Sequence, residues 1–508
     1  MLSVVKSGGI LGIDGFIVDV EVNISSGLPQ FTVVGLPDTA VKESKERIKS
    51  AITNVGLKFP NKKIVVNLAP ADIVKQGTIY DLPMSIGILT ANGLIDTENI
   101  KDFAFIGELA LNGDLRGIKG ALPIAIKLQE EGIKNLILPE ENSLEAGLVD
   151  GLNVYGFKNI KDIVMFLNGS LKKEKVKIDR KEIFKTRNKN SIDFKDIKGQ
   201  TLVKRALEIA AAGFHNLLMI GSPGSGKSMM AKAFPSILPP LSFEEAIETT
   251  KIHSVAGVLE DFIVKERPFI SAHHTASDIS IIGGGNIPKP GLISLAHNGV
   301  FFMDELPEFK RNVLEVLRQP LEDRKVVVSR ASGMYIFPAK FQLIAAANPC
   351  PCGYRNDPKK SCRCSPREIK RYMGKISGPL LDRIDINVWV NPVPPEDLSK
   401  LSSDEGSEKI RERVIKAVEI QKMRFKDIGI NFNSEMTPTL LEKFVKLDNK
   451  AENTLNMYAK KYNLTARSYH RILKLSRTIA DLEGSNDVKL KHILEAINFK
   501  LSEENLLN

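Results

Sequence analysis

Residues Gly221-Ser222-Pro223-Gly224-Ser225-Gly226-Lys227-Ser228 place two glycines with four residues between them, followed at once by Lys and Ser. This spacing suits a loop whose backbone N–H groups wrap a polyphosphate, because glycine lets the main chain approach the anion. Lys227 would reach the β- and γ-phosphates, and Ser228 would hold Mg²⁺. The context fits: an apolar run, Leu217–Ile220, precedes the loop, and Met229–Phe234 reads as the helix after it.

A second site partner lies downstream. Gly299-Val-Phe-Phe-Met-Asp304-Glu305 is a buried-strand run ending in two carboxylates. Asp304 can hold magnesium through its water shell, and Glu305 can polarise an attacking water. In isolation such a pair is an ordinary strand exit. With the phosphate loop upstream, it completes an ATP and Mg²⁺ site.

The four cysteines all fall between Cys350 and Cys364, as the close pairs Cys350-x-Cys352 and Cys362-x-Cys364. Clustering in a long chain argues for a metal rather than a disulfide framework. Four thiolates can complete a closed, structural Zn²⁺ site, although the spacing within each pair is tighter than usual. Reduced thiols in a surface loop are the alternative.

These groups need elements to position them. Residues 1–168 alternate β-rich runs (Gly15–Val22, Phe31–Val34, Lys63–Asn67, Phe103–Glu108, Asn135–Leu138) with helical stretches such as Asp38–Val55, which reads as one α/β domain. Leu171–Asn190 carries nine Lys/Arg against three Asp/Glu and few core-forming residues, so 169–192 is expected to be a basic linker. Residues 193–395 resume as helix Thr201–Ala212, strand Asn216–Ile220, loop and helix. Pro392–Pro395 marks a boundary, and 396–508 is helical in pattern. The stretch from Lys227 to Asp304 is roomy for one helix and one strand, so an insertion is expected within Ser236–Pro290.

Composition sets limits. The hydrophobic share of 43% allows a core in each domain, and Lys+Arg at 71 against Asp+Glu at 61 gives a net charge of +10. A positive surplus attracts polyanions, DNA or RNA most commonly, while a lysine-rich proteome would look the same. Trp389 is the single tryptophan, so stacking platforms for single strands are not expected. No secretory signal and no eighteen-residue apolar run occur, so a cytoplasmic protein without membrane contact is expected.

Several long stretches carry a resemblance. The run from Gly299 to Gly353 (GVFFMDELPEFKRNVLEVLRQPLEDRKVVVSRASGMYIFPAKFQLIAAANPCPCG), Asn67–Asp72 (NLAPAD), Ser377–Ile386 (SGPLLDRIDI) and Leu464–Gly484 (LTARSYHRILKLSRTIADLEG) resemble the Mg-chelatase-like AAA+ family, specifically its YifB/ComM branch. The resemblance covers nearly the whole chain. It implies a multi-domain α/β protein: an N-terminal Lon-protease-like (ChlI-type) domain, a central AAA+ P-loop domain and a C-terminal helical lid. Asn348 resembles the sensor-1 residue, Arg383 the arginine finger given to a neighbour's ATP, and Arg467 sensor 2, with Arg471 one turn away as the competing choice. A finger acting in trans implies a homo-oligomeric ring, usually a hexamer. The family also places a helix-2 insert after the first nucleotide motif and a hairpin near Val326–Lys340, where Arg330 and Lys340 are candidate phosphate contacts. His273-His274-Thr275 and Gly283-Gly284-Gly285 match family patterns. The histidines are read as structural or pore-loop residues, because neighbours point opposite ways on a strand and no partner carboxylate is evident. Against the Lon pattern, Ile79 takes the nucleophile's position and Leu122 the lysine's, so no peptidase activity is expected, and the domain reads as a scaffold or DNA-binding surface.

The ComM resemblance implies a DNA motor, a branch-migration helicase or translocase. A chelatase motor needs partner subunits for its porphyrin, which is not expected here. An ATP-dependent protein remodeller is the remaining alternative.

Overall fold

The computed structural model describes residues 1–184, 192–285, 288–330, 333–393 and 405–500. The chain forms two compact units, Met1–Thr186 with Ala246–Lys265, and Arg187–Glu245 with Glu266–Asn508. The long helix Phe243–Ala256, in the region expected to hold an insertion, therefore starts in one unit and contributes most of its length to the other.

The first unit is built on a seven-stranded mixed sheet, in the order Gln30–Val34, Lys63–Ala69, Asp14–Ser25, Leu2–Leu11, Phe103–Phe105, Asn135–Pro139, Asn153–Phe157. Alternation sets its inner face. Val18, Val20, Val22 and Ile24 of one strand are buried, as period-two geometry requires. Helix Asp81–Ala91 is buried along its whole length, and Asp81 is carried inside by Arg47, whose guanidinium donates to it at 2.8 and 3.1 Å. Ile79 and Leu122 are both buried. The stretch expected to be a solvated linker differs at its start. Leu171 and Val176 pack on this unit's core, the Val176 N–H donates to the Val154 carbonyl at 2.9 Å, and Ile183 is buried. Spaced apolar residues among the lysines suffice to fix it, while residues 185–191 lie outside the described set.

The second unit holds a five-stranded sheet in the order Phe269–Ala272, Val300–Met303, Gln342–Ala347, Leu217–Gly221, Ile386–Val390, all parallel. Numbered along the chain this is 2-3-4-1-5. A parallel sheet brings strand ends to one edge, and ligands bind in the crevice at their carboxyl ends. The second to fourth of these strands are buried throughout, which is why the sequence shows apolar runs there and no alternation. Helix Thr201–Gly213 packs beneath them. Its last carbonyls are closed by side chains, Gln342 donating to Ala210 O at 2.8 Å and Gln421 to Ala212 O at 2.9 Å.

The C-terminal helices Ser407–Arg424, Asn449–Lys461, Ala466–Leu482 and Leu490–Asn498 share one apolar core with this sheet, through Ile410, Val414, Leu455, Ile472, Ile479 and Ile493, while Pro438–Phe444 packs Leu441 into a smaller cluster with Phe425 and Met436. The boundary expected at 395 falls outside the described residues. Asp481 ties these helices together. It is fully buried and accepts from Arg424 at 2.5 and 2.8 Å and from Arg477 at 2.9 and 3.1 Å. Asp481→Ala would strand two cations, one of them 1% exposed, at a cost of about 3–5 kcal/mol. Chemical unfolding of the full chain should show the second unit's transition at clearly lower urea, with the first unit's transition unmoved.

Candidate active site

Three strand ends of the second sheet meet at the phosphate loop. The loop leaves Leu217–Gly221 and turns into helix Lys227–Ala233. Gly221 is needed because a Cβ there would stand 2.2 Å from the Val390 carbonyl oxygen, and Gly226 because its φ is +93°. The Lys227 side chain folds back into the loop. Its ammonium donates to Gly221 O at 2.6 Å, Ser222 O at 2.9 Å and Asn348 Oδ1 at 3.3 Å. Burial pushes the Lys227 pKa down to about 8, against the opposing pull of Asp304 and Glu305. Ser225 Oγ is buried with no partner among the described residues. A buried cation and an unpaired hydroxyl inside one loop are what an anionic ligand would satisfy.

The carboxylates follow from the adjoining strand, Val300–Met303. Asp304 Oδ2 accepts from Ser228 Oγ at 2.6 Å, which joins the two residues expected to hold Mg²⁺. The chain then takes a left-handed conformation at Glu305, with φ 52° and its N–H donating to Asp304 Oδ1 at 2.9 Å. This turns the Glu305 side chain out to a half-exposed position. His274 Nδ1 stands 3.5 Å from its Oε2. The two histidines thus correct the sequence expectation. They sit just past the strand Phe269–Ala272, where alternation no longer holds, so their rings lie 4.2 Å apart and a carboxylate is at hand.

Asn348 directly follows the strand Gln342–Ala347, so its amide reaches Lys227. Lys227, Ser228, Asp304, Glu305 and Asn348 are therefore brought together. Arg383 and Arg467 are not part of this group. They line a separate cleft of about 660 Å³ with Glu322, His470, Arg471 and Lys474. Both guanidiniums bind the Glu322 carboxylate, Arg467 at 2.9 Å and Arg383 at close range. Arg471 instead turns inward. It bonds Asp385 at 3.5 Å and the carbonyls of Leu381 and Ile384. Glu322 carried no signal in the sequence, because it is one of two adjacent acids on a short helix, Arg318–Asp323.

The hairpin expected near Val326–Lys340 pairs Lys325–Arg330 with Gly333–Pro338. Met334 and Ile336 are exposed on it. Lys340, expected to contact phosphate, is instead committed inside the unit: it pairs with Glu435 at 3.1 Å and lies over the Phe432 ring. Arg330 donates to the Gly285 carbonyl at 3.3 Å.

The four cysteine sulfurs lie within 4.8 Å of one another. Cys350–Cys352, Cys352–Cys362 and Cys350–Cys362 separations are 3.3, 3.6 and 3.7 Å. Tetrahedral Zn²⁺ with Zn–S bonds of ~2.3 Å would set sulfurs about 3.8 Å apart, so the quartet is compatible with such a site. Burial raises the Cys352 thiol, but backbone N–H groups of Tyr354 and Arg363 outweigh it and bring its pKa to about 6.

Residues 193–398 match the family model described as magnesium chelatase, subunit ChlI, residues 20–142 the model for subunit ChlI of Mg-chelatase, and residues 404–500 that for the ChlI C-terminal region. Competence protein ComM of Haemophilus influenzae is 44% identical over 503 residues, covering 98% of this chain and 97% of that protein. The chain belongs to the YifB/ComM family of Mg-chelatase-like proteins. YifB of Salmonella typhimurium is 40% identical over all of this chain. Membership makes the protein an AAA+ ATPase, with ATP and Mg²⁺ as the ligands its central domain is built for. A more distant similarity, 24% over 57% of this chain, links it to the DNA replication licensing factor mcm6 of Dictyostelium discoideum.

Lys227 supplies a direct test. With its pKa near 8, the free protein at pH 8.5 carries this amine mostly neutral, and bound phosphates would draw a proton onto it. Titration calorimetry of ATP in two buffers of different ionisation enthalpy should show proton uptake at pH 8.5 and little at pH 6.5. Equal heats in both buffers at pH 8.5 would contradict the assignment.

Proposed function

We propose that this protein is a ring-forming, ATP-driven motor that acts on DNA, of the kind that moves branch points in recombination or transformation. The observation that carries the ring is the division of the charged residues. Lys227 would hold the β- and γ-phosphates, Ser228 and Asp304 the magnesium, which screens the phosphate charge, while Glu305 orients water and Asn348 positions it. Arg383 lies in another cleft, where it meets Arg467 of the helical lid on Glu322, so it is assigned to a neighbouring subunit's ATP, where it would stabilise developing charge. Arg467 is preferred to Arg471 as sensor 2, because Arg471 is spent on Asp385 and two carbonyls. A hexamer is the natural closure of such contacts.

The DNA reading rests on the net charge of +10, on the hairpin Lys325–Pro338 with Met334 and Ile336 exposed, and on similarity to a competence protein and to a DNA replication licensing factor. The first unit would act as a scaffold without peptidase activity, and the four thiols would hold a structural Zn²⁺. The protein would work in the cytoplasm.

Steady-state ATPase rates with single-stranded, duplex and branched DNA, at rising salt, test this. Stimulation that fades as salt rises is expected, since phosphate contacts release counterions. No response to any of the three DNAs would overturn the DNA reading in favour of protein remodelling. Arg383→Ala should lower kcat by about 10³-fold or more while ATP affinity stays within a few-fold, and normal turnover would refute the finger.

A further inference from the structure

The cysteine loop is not a remote appendage. Cys350 comes two residues after Asn348, whose amide oxygen accepts from the Lys227 ammonium. Gly353, with φ +82°, passes so close to the phosphate loop that a Cβ there would stand 2.6 Å from Pro223 Cδ. Further along, the Asp357 carboxylate is hydrogen-bonded to the Ser222 side chain, and the backbone N–H groups of Lys359 and Lys360 donate to it at 2.8 and 2.9 Å. Three points of this one loop therefore touch the phosphate loop or its lysine.

Within the loop, the Asp357 N–H donates to the Tyr354 carbonyl at 3.2 Å and the Lys360 ammonium lies over the Tyr354 ring, but these contacts are local to it. Cys350 alone of the four cysteines is fully buried, and residues 355–361 are mostly exposed, with no apolar side chain among them beyond Pro358. A metal joining Cys350 and Cys352 to Cys362 and Cys364 would close the intervening stretch and fix Gly353 and Asp357 where they meet Pro223 and Ser222. Backbone amides already point at sulfur, the Cys352 N–H at Cys364 Sγ at 3.4 Å among them, which is the outer support that metal thiolates use. Without a metal, four thiols in this space lack a common partner, and the wall of the nucleotide site they carry loses its cross-link.

We propose that the thiol loop is a metal-set wall of the ATP site, so that Zn²⁺ bound by Cys350, Cys352, Cys362 and Cys364 raises affinity for nucleotide by holding the loop against Ser222 and Pro223. The inference rests on the zinc reading given above, and the two can fail separately.

The test uses the full-length protein. Bound metal is released with a mercurial and a chelator, the thiols are reduced, and Zn²⁺ alone is added back. Elemental analysis reads the zinc, and a fluorescent ATP analogue in excess Mg²⁺ reads affinity. One zinc per chain, about ten-fold weaker nucleotide binding after removal and recovery on reloading are expected. One zinc per chain with affinity unchanged on removal would overturn the coupling and leave the zinc site standing. No zinc before or after reloading would overturn both. Because stripping could loosen the fold at large, Asp357→Ala provides a second arm that leaves all four ligands intact. It should keep one zinc per chain and an unchanged circular dichroism spectrum while binding nucleotide several-fold more weakly. Unchanged affinity in that variant would also overturn the proposal.

Discussion

A lysine ammonium sealed inside a protein has to be met by oxygens, and the second unit can be understood from how it provides them at Lys227. Two come from the main chain of the loop itself, at Gly221 and Ser222, and the third from Asn348 on another strand. Bringing Asn348 there needs the Gln342–Ala347 strand parallel to and in register with Leu217–Gly221. Bringing Asp304 to Ser228 needs the next strand over, paired in the same sense. The parallel sheet thus delivers a cation, a hydrogen-bonded Ser228–Asp304 pair and the Asn348 amide to one edge, and the buried runs of its strands are the cost in sequence freedom.

A second charged centre obeys a different rule. The Arg383–Glu322–Arg467 cluster joins the helix Arg318–Asp323 to the C-terminal helices, whose core is continuous with the sheet. Two cations sharing one half-exposed carboxylate are only half neutralised, so the cleft retains appetite for further negative charge. Arg471 beside them illustrates the contrast. Its partner Asp385 is held well below the usual carboxylate range despite burial, through His215 and Arg471 itself. Arg471 is held by Asp385 and two carbonyls, whereas Arg383 and Arg467 share Glu322, and Arg383 also donates to the Pro379 carbonyl at 2.7 Å.

Much of this was legible from residue order, and what was not has identifiable causes. The phosphate loop and the Asp304–Glu305 pair could be read because their chemistry is local, a motif attached to an apolar strand, whereas Asn348 came only from the family resemblance. Strand Leu2–Leu11 escaped notice because glycines and polar residues interrupt its apolar positions, although Val5 is wholly buried. The grouping of 246–265 with the first unit could not be foreseen, since only tertiary contacts such as Ser254 with Gly120 and Glu145 create it. Lys340 read as a phosphate contact because a cation beside a hairpin looks free in sequence, yet Glu435, far along the chain, claims it. The His274–Glu305 approach was hidden for a similar reason: alternation was assumed to continue one step beyond the strand's end.

The claim that active sites are completed between subunits is tested most directly by mixing two inactive chains. Lys227→Ala lacks a usable phosphate loop but keeps Arg383, while Arg383→Ala keeps the loop and lacks the finger. If the finger acts in trans, an equimolar mixture recovers a substantial fraction of wild-type ATPase activity, because some interfaces pair an intact loop with an intact arginine. A mixture as inactive as its components, under conditions where the chains are shown to co-assemble, would contradict the account.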